Sequence, residues 1–132
     1  MAVKFDLLPG EPILIQTLDK EFNFGTDGKP LLEKTMATLD AQSEPIFYIA
    51  DMTEVDFSLD DVIGASNLVT RQVAMFRHPK MREGIIITES FLMNLAAKGL
   101  NSPIFGDIKV KVFKTVDEAL AYVREAIGDK TS

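Results

Sequence analysis

Cysteine and tryptophan are absent from this 132-residue chain, and histidine occurs once. Without cysteine there is no disulfide, no thiolate nucleophile, no iron–sulfur cluster and no cysteine-ligated zinc, which fits a reducing compartment. A single histidine, His78, excludes a His-rich metal site. It stands beside Pro79, and no Gly-x-Ser-x-Gly elbow exists to give it a serine partner, so no catalytic role is expected of it. Positive charge is also scarce: 14 Lys and Arg face 20 Asp and Glu, for a net charge of −6. Nucleic-acid binding concentrates Lys and Arg to displace counterions. The nearest approach, Arg77-His78-Pro79-Lys80-Met81-Arg82, is short and reads as a solvated helix-to-strand turn. No apolar run nears the ~20 residues that span a bilayer, and Met1 to Asp6 lack the pattern of a signal peptide. Gly25, Gly28, Gly99 and Gly106 have neither dinucleotide nor Walker spacing. These absences lead us to expect a cytoplasmic protein with no nucleic-acid partner, no membrane span, no metal, no cofactor and no catalytic residue.

What is present is the composition of a globular protein: 46% hydrophobic and 26% charged residues. A chain of this length buries roughly two-thirds of its unfolded surface, enough for one core. No repeat, linker or low-complexity tract divides it, so residues 1–132 are expected to form one domain.

The first readable unit is a hairpin. Val3 to Leu7 alternates apolar and polar, Pro9-Gly10-Glu11-Pro12 is a turn signal, and Ile13 to Leu18 resumes as a strand. The short connection makes the pair antiparallel. Lys20 to Gly28 reads as a loop; Pro30 then suits a helix's first turn, and Leu32, Met36 and Leu39 recur at helical spacing, which predicts a helix over 29–42. Ile46 to Ala50 is a short, continuous apolar run, the pattern of a strand buried on both faces, with Asp51 at its end.

Ser58-Leu59-Asp60-Asp61 has capping-box spacing and opens a helix with Val62, Ala65, Val69, Val73 and Phe76 on one face, stopped by Pro79. Gly84 to Thr88 reads as a second buried strand. Phe91, Leu92, Leu95 and Ala96 read as a short helix ending at Gly99, placed where a left-handed C-cap is expected. Lys109 to Phe113 alternates as an edge strand guarded by lysines. Thr115 to Glu118 is a second capping box, before a helix with Val116, Ala119, Leu120, Val123 and Ile127 on one stripe. The order ββ–αβ–αβ–αβ–α defines an α/β fold. It predicts a mixed sheet of about five strands, with an N-terminal antiparallel hairpin, parallel crossovers after it and helices covering the sheet.

Three groups of residues bear chemistry. Asp51, Asp56, Asp60 and Asp61 are the densest acidic cluster; Asp60 and Asp61 fall in a helix's first turn, where negative charge opposes the helix dipole. Asp51 and Thr88 follow buried strands, where open α/β sheets take ligands, and are candidates for an anion or phosphoacceptor site, receiver-fashion, with Lys114; for Thr88-Glu89-Ser90, capping of the helix it opens is the favoured alternative, since Glu89 would repel an anion. Such a site also needs paired acids after an early strand, and here Asp19 and Glu21 only flank Lys20. Phe22 and Phe24 precede the predicted first helix and, with Phe76, are candidates to line a pocket or a contact surface; folding back over the core is the alternative.

The segment Ile49-Ala50-Asp51-Met52-Thr53-Glu54-Val55-Asp56-Phe57 resembles the STAS domains and the SpoIIAA-like group around them, in which a buried strand ends in Asp before a regulatory loop. Val112 to Leu120, a strand closing on Phe followed by Glu-Ala-Leu at a helix start, is similar to the end of SpoIIAA-like proteins, and the element order matches over nearly the whole chain. The resemblance implies a non-enzymatic regulatory or protein-interaction module of bacterial signalling type, with a protein partner or self-association, and a regulatory loop carrying Asp56, Ser58, Asp60 and Asp61. Antagonists phosphorylated by a partner kinase carry Asp-Ser-Ser-Gly at the turn into the second helix. Here Leu59-Asp60-Asp61-Val62 stands there with Ser58 just before it, so the serine switch is not matched. A small apolar or lipid-like ligand is the alternative implied by the same fold.

Overall fold

The computed structural model describes residues 3–55, 74–100 and 110–131. Strands β1 (Val3–Leu7) and β2 (Ile13–Leu18) pair antiparallel, with Leu7 opposite Leu14 and Val3 opposite Leu18. Leu8-Pro9-Gly10-Glu11 is the turn between them: the Glu11 amide donates to the Leu8 carbonyl at 3.3 Å, and Gly10 has φ 75°. Proline second and a left-handed glycine third is the residue order of a type II turn.

Helix α1 spans Phe24–Asp40, so the expected loop at 20–28 is helical from Phe24 onward. Asn23 accounts for the difference. Its side-chain oxygen accepts from the Thr26 amide at 3.2 Å, while Asp27 reaches back to accept from the Asn23 amide at 2.9 Å. This reciprocal cap satisfies two amides that a helix start otherwise leaves open. Pro30 therefore lies inside the helix, one turn beyond the position read from sequence.

Strands β3 (Ile46–Asp51), β4 (Met81–Ile87) and β5 (Val110–Phe113) complete a five-stranded sheet of order β1-β2-β3-β4-β5, parallel from β2 onward. Between them α2 is Phe91–Leu100, and α3 (Val116–Thr131) follows β5. Ile46 to Ala50 is fully buried, as its composition predicts. β4 begins three residues before the expected Gly84, because Arg82 and Glu83 are accommodated on the sheet. The Arg82 guanidinium lies 4.5 Å from the centroid of the Phe47 ring, and Glu83 accepts a hydrogen bond from Tyr122 at 2.7 Å. Residues 74–76 are helical; the Val62, Ala65, Val69 and Val73 stripe and the Ser58–Asp61 capping box lie outside the described residues.

Each parallel crossover steps in the same direction across the sheet. Crossovers of one hand then place their helices on one face, and the packing agrees. Leu32 and Leu39 of α1, together with Met75, cluster with Leu14, Tyr48 and Ala50; Met93 of α2 clusters with Leu18, Ile86 and Val110. The opposite face, carrying Ile13, Phe47, Ile49, Ile85 and Ile87, packs among the described helices against α3, through Ala119 and Val123. The helix is capped as predicted: the Glu118 amide donates to Thr115 Oγ1 at 3.1 Å. It is also fastened to the hairpin, where Arg124 donates twice to Glu11, at 2.9 and 3.1 Å. That hydrogen bonding holds the Glu11 carboxyl below its ordinary pKa.

Beneath α1 the apolar layer contains one polar chain. Tyr48 OH donates to Gln16 Oε1 at 2.5 Å, Gln16 Nε2 donates to Thr35 Oγ1 at 2.7 Å, and Thr35 donates to the Leu31 carbonyl at 2.8 Å. All three side chains are buried, and among the described residues no buried side-chain polar atom lacks a partner. A satisfied network of this kind fixes one register of helix on sheet, since sliding α1 by a turn would orphan Gln16.

Candidate functional site

The C-terminal ends of the parallel strands lie on one edge, in the register Thr17–Asp51–Ile87–Phe113. Brought to that edge are two candidates from sequence, Asp51 and Thr88, with Lys114 beyond β5. Each strand exit is built the same way. After β2, Asp19 Oδ1 accepts from the Glu21 amide at 2.8 Å. At the end of β3, Asp51 Oδ1 accepts from the Thr53 amide at 3.1 Å and from its hydroxyl at 2.8 Å. After β4, Thr88 Oγ1 accepts from the Ser90 amide at 3.0 Å, and Ser90 Oγ in turn accepts from the Met93 amide at 3.3 Å to start α2. After β5, Thr115 caps α3.

In every case a side-chain oxygen takes an amide two or three residues onward, which turns the chain out of the strand. Asp51 and Thr88 therefore hold backbone. Thr88 is buried, and its own amide donates to the Phe113 carbonyl at 2.9 Å. Among the described residues no group of three or more His, Asp or Glu is placed to hold a metal ion. His78 is occupied on both sides: Nδ1 accepts from the Lys80 amide at 2.9 Å, so Nε2 carries the proton and donates to Asp40 at 2.6 Å. A general base needs one ring nitrogen open to its substrate, and here the imidazole ties the end of α1 to the turn before β4.

The aromatic candidates separate. Phe22 is buried in the cluster of Leu18, Ile86, Met93 and Val110, so it folds back over the core. Phe76 is half-buried, its ring edge-on to Tyr48 with centroids 6.3 Å apart. Phe24 opens α1, and its side chain is outside the described set; Asp56, Ser58, Asp60 and Asp61 lie outside the described residues as well.

The feature missed in the sequence is on α2. The helix expected from Phe91, Leu92, Leu95 and Ala96 runs through Gly99 to Leu100; Met93 is the residue buried against the sheet, while Phe91 is 76% and Leu95 56% exposed. The available signal is the pair Asn94 and Lys98, one turn apart, which marks the outward side on which Phe91 and Leu95 also stand.

A five-stranded mixed sheet of sequential order, with an antiparallel first strand and a lone helix of the described set on the second face, defines the class of fold. No family model matches the sequence, and no curated protein matches it at a significant level. Among solved structures the chain is similar to an uncharacterized protein of the DUF3478 family with a SpoIIAA-like fold from Shewanella loihica PV-4, at 20% identity and a TM-score of 0.57 over 92% of each chain. The chain has a SpoIIAA-like fold.

Proposed function

We propose that this domain is a non-enzymatic protein-interaction module of SpoIIAA-like type that works without a serine phosphoswitch. The observation that carries this reading is the outward pair Phe91 and Leu95. They are one helical turn apart and so share a face, on a helix whose buried side is already supplied by Met93. Exposed apolar side chains that stand together and are rimmed by polar residues are a feature of contact surfaces. The polar groups at the strand exits support it from the other side, since Asp51, Thr88 and Ser90 are engaged in local turns.

The test places a photo-reactive side chain at Leu95 and, as a control, at Lys111 on the edge strand β5. A protein adduct formed from position 95, absent from position 111 and lost on Phe91→Ser, supports the reading. Absence of any protein adduct at position 95, or the same adducts from both positions, overturns it.

A further inference from the structure

The exposed stripe of α2 has an order along the helix. Glu89 precedes the Ser90 cap, then come Phe91 and Leu95, and Lys98 follows at the far end; all four side chains are exposed. Residues 91, 95 and 98 fall on one side of the helix, because steps of four and then three residues keep nearly the same angle. The sequence of chemistry is thus acid, apolar, apolar, base, with the half-buried Asn94 beside it, its side-chain amide donating to the Ser90 carbonyl at 2.9 Å.

Turned end for end, such a stripe is its own complement. An isologous pair requires that residue i meet residue j and j meet i. Around a two-fold axis in front of the outward side, at the level of residue 93, Phe91 of one copy meets Leu95 of the other, and Glu89 meets Lys98 at both ends. We propose that α2 pairs antiparallel with α2 of a second copy of this chain, in this register. This rests on the interaction reading above and names the partner.

Size sets the strength. The four apolar side chains of such a pair cover on the order of a few hundred Å², well below the about 1,200–2,000 Å² of stable interfaces. The contact is therefore weak and concentration-dependent. The net charge of −6 on each copy opposes it at long range, so the two end pairs fix register and add little to strength.

The experiment is sedimentation velocity on the purified full chain up to about 1 mM, the range in which a weak pair becomes populated. The expected result is a monomer–dimer equilibrium that Phe91→Ser or Leu95→Ser weakens at least about tenfold. Both positions are exposed, and circular dichroism confirms that the variants remain folded. Register is tested by charge reversal: Glu89→Lys alone and Lys98→Glu alone each weaken the dimer, and the double reversal restores it. A chain that stays monomeric throughout, a dimer indifferent to Phe91→Ser and Leu95→Ser, or a double reversal no better than the single ones overturns the proposal. A monomer that still gives adducts with another protein from position 95 overturns the second copy alone and leaves the interaction reading standing.

Discussion

The ring of Phe76 lies directly over Gly84: a Cβ built on that glycine would stand 2.2 Å from Phe76 Cε1 and 2.6 Å from Cδ1. The backbone of a central strand is therefore bare because an aromatic ring occupies the place of a side chain. Gly84→Ala forces a rigid ring to move within a packed layer, and overpacking of this kind costs about 1–3 kcal/mol. Urea unfolding of the variant should show that loss. Phe76→Leu in the same chain should recover part of it, and the two substitutions should prove non-additive, as contacting residues do.

The Tyr48–Gln16–Thr35 chain behaves as a unit. Tyr48→Phe leaves Gln16 Oε1 buried without its donor, at a cost of about 1–3 kcal/mol. Replacing the set together, as Gln16→Met, Thr35→Val and Tyr48→Phe, leaves no orphan, so the combined variant should lose less stability than the single changes summed. Denaturant midpoints of the four proteins check this.

Alkaline pH reaches the fold through its two tyrosines. Burial pushes the Tyr48 phenol well above its ordinary value; burial first, and then the hydrogen bond to Glu83, push Tyr122 up to about 12. A native-state titration of phenolate absorbance should show no step near 10. Both folded-state values lie above those of the unfolded chain, so the native protein binds more protons once pH exceeds 10. This contribution to stability is complete below that pH and is lost as pH rises toward 12 and beyond. Unfolding free energies measured on either side of pH 10 should fall in that direction, and Tyr122→Phe should reduce the slope.

Thr115→Ala removes the hydroxyl that receives the Glu118 amide at the start of α3. Loss of an N-cap costs about 0.5–2 kcal/mol. Thr115→Ser, which keeps the acceptor, should restore most of it in thermal melts.

How much of this was legible in the sequence depends on which force decides each element. Ile46 to Ala50 could be read at once, because a continuous apolar run bounded by Pro45 and Asp51 has few other uses. The turn read at Pro9 to Pro12 was as clear, and the structure places it at Leu8 to Glu11, since proline fixes its own φ and glycine accepts the positive φ needed next. The start of α1 was hidden by Gly25, Gly28 and Pro30, three poor helix residues outweighed by a cap whose acceptor, Asp27, sits four positions after Asn23. The outward face of α2 went unread in the sequence, although Asn94 and Lys98, four positions apart, fall on the same side as Phe91 and Leu95. At the strand ends the difficulty was chemical: Asp51 and Thr88 are residue types that serve ligands and turns equally well. Only the bonds to Thr53 and Ser90 show the second use.

The one-sided crossovers have a consequence for synthesis. Strands β1 to β4 and the helical segments between them leave a ribosome before residues 116–131 exist as free chain. During that interval Ile13, Phe47, Ile49, Ile85 and Ile87 have no described helix to cover them. Half the sheet is then adhesive, and adhesive surfaces on nascent chains recruit chaperones or one another. Among the described helices it is α3 that ends this exposure, by laying Ala119 and Val123 on the second face.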